Sequence, residues 1–124
     1  MLQLILHLIG DYITQTDYMA NNKTKSLPVA FLHAFVYTIP FILVTQSIIA
    51  LLVILISHAI IDRYRLARYV IFAKNYLNDR TLKWEDCDKT GYPSNIPEWL
   101  TVWLMIIADN TLHLTINFIA ITFM

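Results

Sequence analysis

Every histidine in this chain lies within an apolar segment, and three of the four are spaced four residues from an aspartate. The pairs are His7 with Asp11, His58 with Asp62, and Asp109 with His113. Because four residues make just over one α-helical turn, both members of each pair project from the same face of a helix. An ionisable side chain at the centre of a membrane costs about 2.5–3.5 kcal/mol on insertion scales. Three such pairs therefore indicate a chemical role.

Metal coordination is the chemistry that fits these residue types. With the fourth histidine, the candidate ligands are His7, Asp11, His33, His58, Asp62, Asp109 and His113. Neutral imidazole and carboxylate groups suit Zn²⁺ best here, and Mn²⁺ or Fe²⁺ as alternatives. A mononuclear site of three histidines and one aspartate satisfies the set, and so does a dinuclear site bridged by an aspartate. Not all seven need bind the metal, because an aspartate one turn away can hold the second nitrogen of its histidine and fix the tautomer. The single cysteine, Cys87, argues against a thiolate site and is read as a free thiol.

Composition favours a membrane protein over an ordinary soluble fold. The 124 residues are 57% hydrophobic, and their mean hydropathy is +0.54. Four stretches are long enough to cross a hydrocarbon core of about 30 Å. They are approximately Met1–Met19, Leu27–Gln46, Ser47–Leu66 and Trp99–Met124. We therefore predict an all-α fold, a polytopic membrane four-helix bundle, with residues 1–124 forming a single integral membrane domain.

The basic residues predict the orientation of this bundle. All nine Lys and Arg residues fall in the first connection or at and after the end of the third span, and none lies between 40 and 47. The positive-inside rule then places both connections in the cytoplasm and both termini outside the inner membrane. The polar segment at about 73–98 becomes a cytoplasmic loop, unusually long unless it serves a function or is disordered.

Depth along the predicted helices decides whether the polar pairs can meet. Five of the seven candidates lie within about ten residues of a cytoplasmic helix end, a rise of about 15 Å. His7 and His113 would lie one turn deeper. Helix bundles build metal sites from such inward-facing carboxylates and imidazoles. The alternative is interhelical hydrogen bonding, in which each polar residue contributes about 0.6 kcal/mol.

The order of these motifs resembles a known family. The run His7-Leu-Ile-Gly-Asp11 is followed by Gln15, Met19-Ala20 and Lys23, and then by His33, His58, Asp62, Asp109-Asn110 and His113. This resembles the small membrane proteins of domain-of-unknown-function family 3307, which also occur in bacteriophage genomes. Their H-x-x-x-D pattern is similar to that of membrane-bound metal-dependent hydrolases of bacterial inner membranes. The resemblance implies a helical membrane bundle with a metal site at the seven residues, and it supplies no substrate.

Our preferred hypothesis is a metal-dependent hydrolase that acts at the cytoplasmic face on an amphiphilic or lipid-linked substrate. The metal would lower the pKa of a bound water, and Asp11 or Asp109 would serve as the general base. Nearby basic residues would receive a phosphate, namely Arg63, Arg65 and Arg68.

Two alternatives stay open. One is a non-enzymatic membrane interaction protein with a structural metal cluster, and the other is an ion or proton pathway. In each case the expected partner is membrane lipid, with no nucleic acid, and homo-oligomers are compatible with the small volume of the bundle.

Overall fold

The protein, described here from a computed structural model of all 124 residues, consists of helices and connections without any β-strand. Six α-helices are present: α1 (Leu2–Leu8), α2 (Asp17–Asn22), α3 (Leu27–Thr38), α4 (Ile48–Tyr64), α5 (Leu66–Asn78) and α6 (Glu98–Phe123). A π-helical turn covers Ile9–Ile13, and 3₁₀ segments cover Ile39–Leu43 and Trp84–Asp86. The predicted all-α class is confirmed.

Several predicted boundaries need correction. The first predicted span is not one helix, because α1 passes into the π turn and a separate helix begins at Asp17. The third ends at Tyr64, where Arg65 adopts a left-handed conformation with φ of 52° before α5 begins. The first residues of the predicted loop at 73–98 are helical as far as Asn78. One helix, α6, is long and apolar enough to cross a membrane, whereas the apolar helical stretches Leu2–Ile13 and Leu27–Leu43 are shorter.

The chain divides into two compact units. The first contains Met1–Tyr64 together with His113–Met124, and the second contains Arg65–Leu112. In the first unit, α3 packs along α4 as the most extensive helix pair. Its buried apolar core is small: Leu6, Tyr37, Phe41, Ala50, Ile54 and Ala120. A single integral membrane domain stays a prediction.

A close contact explains the glycine in the π turn. A Cβ atom on Gly10 would collide with the ring of Tyr37 on α3. Only glycine lets this turn approach α3 so closely. The turn carries Asp11, which is buried, and single π turns inside helices frequently mark functional positions. The packing of Gly10 therefore brings a carboxylate towards α3.

In the second unit, the polar loop is held against α5 by side-chain hydrogen bonds to its backbone. Arg68 donates to the carbonyl of Asp88 at 2.9 Å, and Arg65 donates to that of Lys89 at 3.0 Å. Asn75 donates to the carbonyl of Gly91 at 3.1 Å. These bonds give the loop a defined structure.

Cys87 is buried in this loop. Burial raises the pKa of its thiol, and the neighbouring carboxylates of Asp86 and Asp88 raise it further. The thiol is therefore protonated at neutral pH and is a poor metal ligand, in agreement with its reading as a free thiol.

Candidate metal centre

Four of the seven predicted ligands converge in the first compact unit. Asp11 comes from the π turn, His33 from α3, and His58 and Asp62 from successive turns of α4. All four side chains are buried. The spacing of His58 and Asp62 places both on the face of α4 that meets α3, and the α3–α4 packing brings His33 against them.

The two imidazole nitrogens lie at similar distances from each other and from the two carboxylate oxygens. The Nε2 atoms of His33 and His58 are 3.0 Å apart. Each of these nitrogens lies 3.2 Å from Asp11 Oδ1 and 3.2 Å from Asp62 Oδ2. All four ligand atoms fall within 4.8 Å of one another. Two imidazoles and two carboxylates thus face a common point.

Hydrogen bonding alone does not account for this convergence. A ring nitrogen carries at most one proton, yet each Nε2 faces two carboxylate oxygens and the other ring's Nε2 at similar distances. A cation at the common point would attract all four atoms. With these separations, the point equidistant from the four atoms lies about 2.0–2.4 Å from each, within the range of metal–ligand bond lengths in proteins. The four residues could therefore hold a metal ion.

His7 and His113 contact the outer oxygens of the two carboxylates. His7 Nε2 lies 3.6 Å from Asp11 Oδ2, and His113 Nε2 lies 3.6 Å from Asp62 Oδ1. Both histidines are buried. Each carboxylate therefore has an inner oxygen towards the common point and an outer oxygen towards a further histidine, an arrangement that orients ligand carboxylates.

The structure differs from the expectation that an aspartate one turn away would hold the second nitrogen of its histidine. In the His58–Asp62 pair, Asp62 faces Nε2, the nitrogen that already points to the common point. The Nδ1 atoms of His33 and His58 are buried without a hydrogen-bond partner. Packing positions the ring of His58, since Tyr37 stacks on it with ring centroids 3.7 Å apart and planes 19° apart.

Asp109 does not belong to the first compact unit. It lies on α6 within the second unit, is partly buried, and interacts electrostatically with Arg65. Its assignment as a ligand or a general base stays a prediction.

Lys23 is a member of the cluster that motif spacing did not assign. Its Nζ lies 2.8 Å from Asp62 Oδ2 and 3.3 Å from His33 Nε2. Its side chain is 17% exposed, against 4% for Asp62 and 0% for His33. Lys23 therefore marks the side on which the cluster reaches the exterior. A lysine in a connection gives no periodic signal, so only the tertiary structure reveals this contact.

Tyr37 is the second residue that sequence reasoning missed. Its hydroxyl accepts a hydrogen bond from Asn117 Nδ2 at 2.6 Å and lies 2.7 Å from His7 Nδ1. The side chain is fully buried. Tyr37 lies four residues after His33 on α3, and this spacing was the available signal. One side chain thus stacks on His58 and connects α1 to α6.

We expect Tyr37→Phe to destabilise the first unit by about 1–3 kcal/mol, because Asn117 and His7 each lose a buried hydrogen-bond partner while the ring packing is kept. Chemical unfolding followed by circular dichroism measures this loss. Tyr18→Phe, which alters an exposed tyrosine, is the matched control. Equal stability of the two variants would show that the hydroxyl does not organise the cluster.

Comparison with known proteins identifies the family of this chain but gives no activity for it. No curated protein and no solved structure matches the chain. The sequence model of the family described as "Protein of unknown function (DUF3307)" matches residues 1–124. The match spans the whole sequence, including all seven candidate ligands, Tyr37 and Lys23. The chain is therefore a member of the DUF3307 family.

Proposed function

We propose that this chain is a membrane-embedded metal protein whose centre is formed by Asp11, His33, His58 and Asp62. The observation that carries the proposal is the convergence of two imidazole nitrogens, 3.0 Å apart, on two carboxylate oxygens that each lie 3.2 Å from both nitrogens. Such a set is unfavourable without a cation, because the buried carboxylates repel one another and are poorly solvated.

Zinc is the metal that the donor set favours, and manganese and iron are the alternatives. Two imidazoles and two carboxylates without sulfur match the ligands of these ions. The two carboxylates carry two negative charges, which a divalent ion neutralises. An alkaline-earth ion is disfavoured because calcium and magnesium prefer oxygen ligands alone.

Placement in a membrane is supported by the distribution of polarity in the structure. Charged and polar side chains are buried beside the apolar core, and many large apolar side chains are exposed, among them Ile13 at 76% exposure and Leu43 at 77%. In the apolar window of α6, 17% of the residues are buried. An extensive exposed apolar surface marks contact with a partner or a lipid phase. We propose the inner membrane, with the basic loops in the cytoplasm and both termini outside.

The proposed activity is hydrolysis of an amphiphilic or lipid-linked substrate at the cytoplasmic face. A bound divalent ion acts as a Lewis acid and lowers the pKa of water. Asp11 is one candidate for the general base, through its outer oxygen Oδ2, which faces His7 while Oδ1 faces the common point. Asp109, outside the four-residue set, is the second candidate for the general base.

One observation favours a second function. The ammonium of Lys23 already supplies a positive charge to Asp62 at 2.8 Å, so part of the cluster is compensated without a metal. Buried histidines, aspartates and a lysine are also the components of a proton pathway. That function predicts proton flux in liposomes without a metal requirement, whereas the hydrolase predicts turnover that needs the metal.

We expect the purified protein to contain about one divalent transition metal ion per chain. His58→Ala should lower the metal affinity by about 100-fold or more, because loss of a residue that only supports a ligand already lowers metal affinity by about 10–100-fold. Elemental mass spectrometry after dialysis measures both. Asp17→Ala, which removes an exposed carboxylate on α2, should keep the metal. A folded wild-type protein without metal would favour the proton pathway.

Membrane insertion is tested by alkaline carbonate extraction of cells that express the chain. We expect the protein to stay in the membrane pellet, because transferring its exposed apolar surface from lipid to water would cost about 25 cal/mol per Å². A peripheral membrane protein expressed in parallel provides the control for extraction. Release of this chain into the supernatant would contradict insertion.

We expect Asp109→Asn to lower kcat by about 10²–10⁴-fold, the contribution of a general base, while metal content is unchanged. Hydrolysis of a chromogenic phosphodiester by the metal-loaded protein measures kcat. Asp79→Asn, in the polar loop, is the control. Full turnover by Asp109→Asn would remove Asp109 from the mechanism and leave Asp11 as the base.

A further inference from the structure

We infer that Lys23, together with Arg63, forms a binding position for a phosphate group at the edge of the metal centre, and that Lys23 pairs with Asp62 only while the metal is absent. This inference rests on the proposed metal centre. It specifies the substrate class as a phosphate-bearing molecule and assigns its recognition to two residues of the first compact unit.

The connection between α2 and α3 is fixed to the end of α4 by two adjacent contacts. Lys23 Nζ pairs with Asp62 Oδ2 at 2.8 Å, and Arg63 Nη1 donates to the carbonyl of Thr24 at 2.7 Å. Two successive residues of the connection thus meet two successive residues of α4. Both cationic side chains therefore lie where this connection meets the end of α4.

Lys23 and a metal ion compete for the same atoms. The ammonium contacts Asp62 Oδ2 and His33 Nε2, and both are proposed metal ligands. A divalent ion at the common point would repel the ammonium and would take the electron pairs that now face it. Metal binding therefore turns the Lys23 side chain away from Asp62. Because the connection between α2 and α3 is short, Lys23 stays at the edge of the metal centre.

A displaced Lys23 leaves an ammonium without an anionic partner beside a metal ion. Arg63 adds a guanidinium whose Nη1 donates to the carbonyl of Thr24 and whose buried Nε has no hydrogen-bond partner. Lysine and arginine side chains that surround a metal ion make a site for a multiply charged oxyanion, since each supplies charge-assisted hydrogen bonds to its oxygens. A phosphate group has enough oxygens to contact the metal and both side chains at once.

The other two arginines proposed as phosphate receptors belong to the second compact unit. Arg65 and Arg68 donate to the carbonyls of Lys89 and Asp88 within the second compact unit. Their guanidinium groups hold the polar loop to α5. Of the three arginines, Arg63 is the one in the same unit as the metal centre.

The test compares Lys23→Gln with the wild-type chain in detergent, with Lys25→Gln as the matched control because Lys25 is an exposed lysine of the same connection. Cobalt(II) is titrated by visible absorption, and inorganic phosphate is then titrated into the cobalt-loaded protein by calorimetry. Lys23→Gln should bind cobalt about tenfold more tightly, since no ammonium competes, and phosphate about tenfold more weakly. Lys25→Gln should match the wild type in both.

A conservative variant separates the charge of Lys23 from a structural role. Lys23→Arg keeps a cation at this position and should keep phosphate affinity within about threefold of the wild type. Equal phosphate binding by Lys23→Gln and wild type, or weaker cobalt binding by Lys23→Gln, would overturn the inference while leaving the metal centre intact. A wild-type chain that binds no cobalt would overturn the metal centre and this inference with it.

A further titration with short-chain lipids tests whether the phosphate belongs to a lipid headgroup. Dioctanoyl phosphatidic acid and dioctanoylglycerol are titrated separately into the cobalt-loaded protein. Tighter binding of the phosphatidic acid than of inorganic phosphate, with the same dependence on Lys23, supports a lipid headgroup as the ligand. Equal affinity for the two phosphates supports a water-soluble phosphate. Equal binding of dioctanoylglycerol and phosphatidic acid would show that phosphate is not recognised.

Discussion

Two carboxylates buried against two imidazoles carry charge that the interior of a protein solvates poorly. Removing an ionised carboxylate from water costs several kcal/mol even after relaxation, and a second carboxylate nearby adds repulsion. In this chain, Asp11 and Asp62 share the same pair of imidazole nitrogens at 3.2 Å. Their positions become favourable through a cation, either the ammonium of Lys23 or a metal ion. The arrangement of the first compact unit follows from this requirement.

The surrounding residues hold the groups at these separations. Gly10 allows the π turn to approach Tyr37, which sets the position of Asp11. Tyr37 stacks on His58 and connects His7 to Asn117, so that α1, α3, α4 and α6 share one buried side chain. The apolar core beside this network is small. Polar contacts and ring packing therefore contribute to specifying the unit beside hydrophobic burial.

From the sequence, the residues of the cluster could be predicted, but their arrangement in space could not. A spacing of four residues in an apolar helix identified His58 with Asp62 and His7 with Asp11, because helical periodicity is a local property. It did not predict which oxygen faces which ring, since that depends on the packing of α3 against α4. Lys23 and Tyr37 were missed because neither forms a His–Asp pair. The break at Arg65 was also missed, because a single left-handed residue leaves hydropathy unchanged.

X-ray absorption spectroscopy at the metal K-edge tests most directly whether Asp11, His33, His58 and Asp62 bind a metal ion. We expect a shell of about four nitrogen and oxygen atoms at 2.0–2.2 Å for zinc, with multiple-scattering features of two imidazoles that are weakened in the variant His33→Ala. A shell that contains sulfur would place the metal at Cys87. A shell of oxygen alone, unchanged in His33→Ala, would show that the converging histidines and aspartates do not form a metal centre.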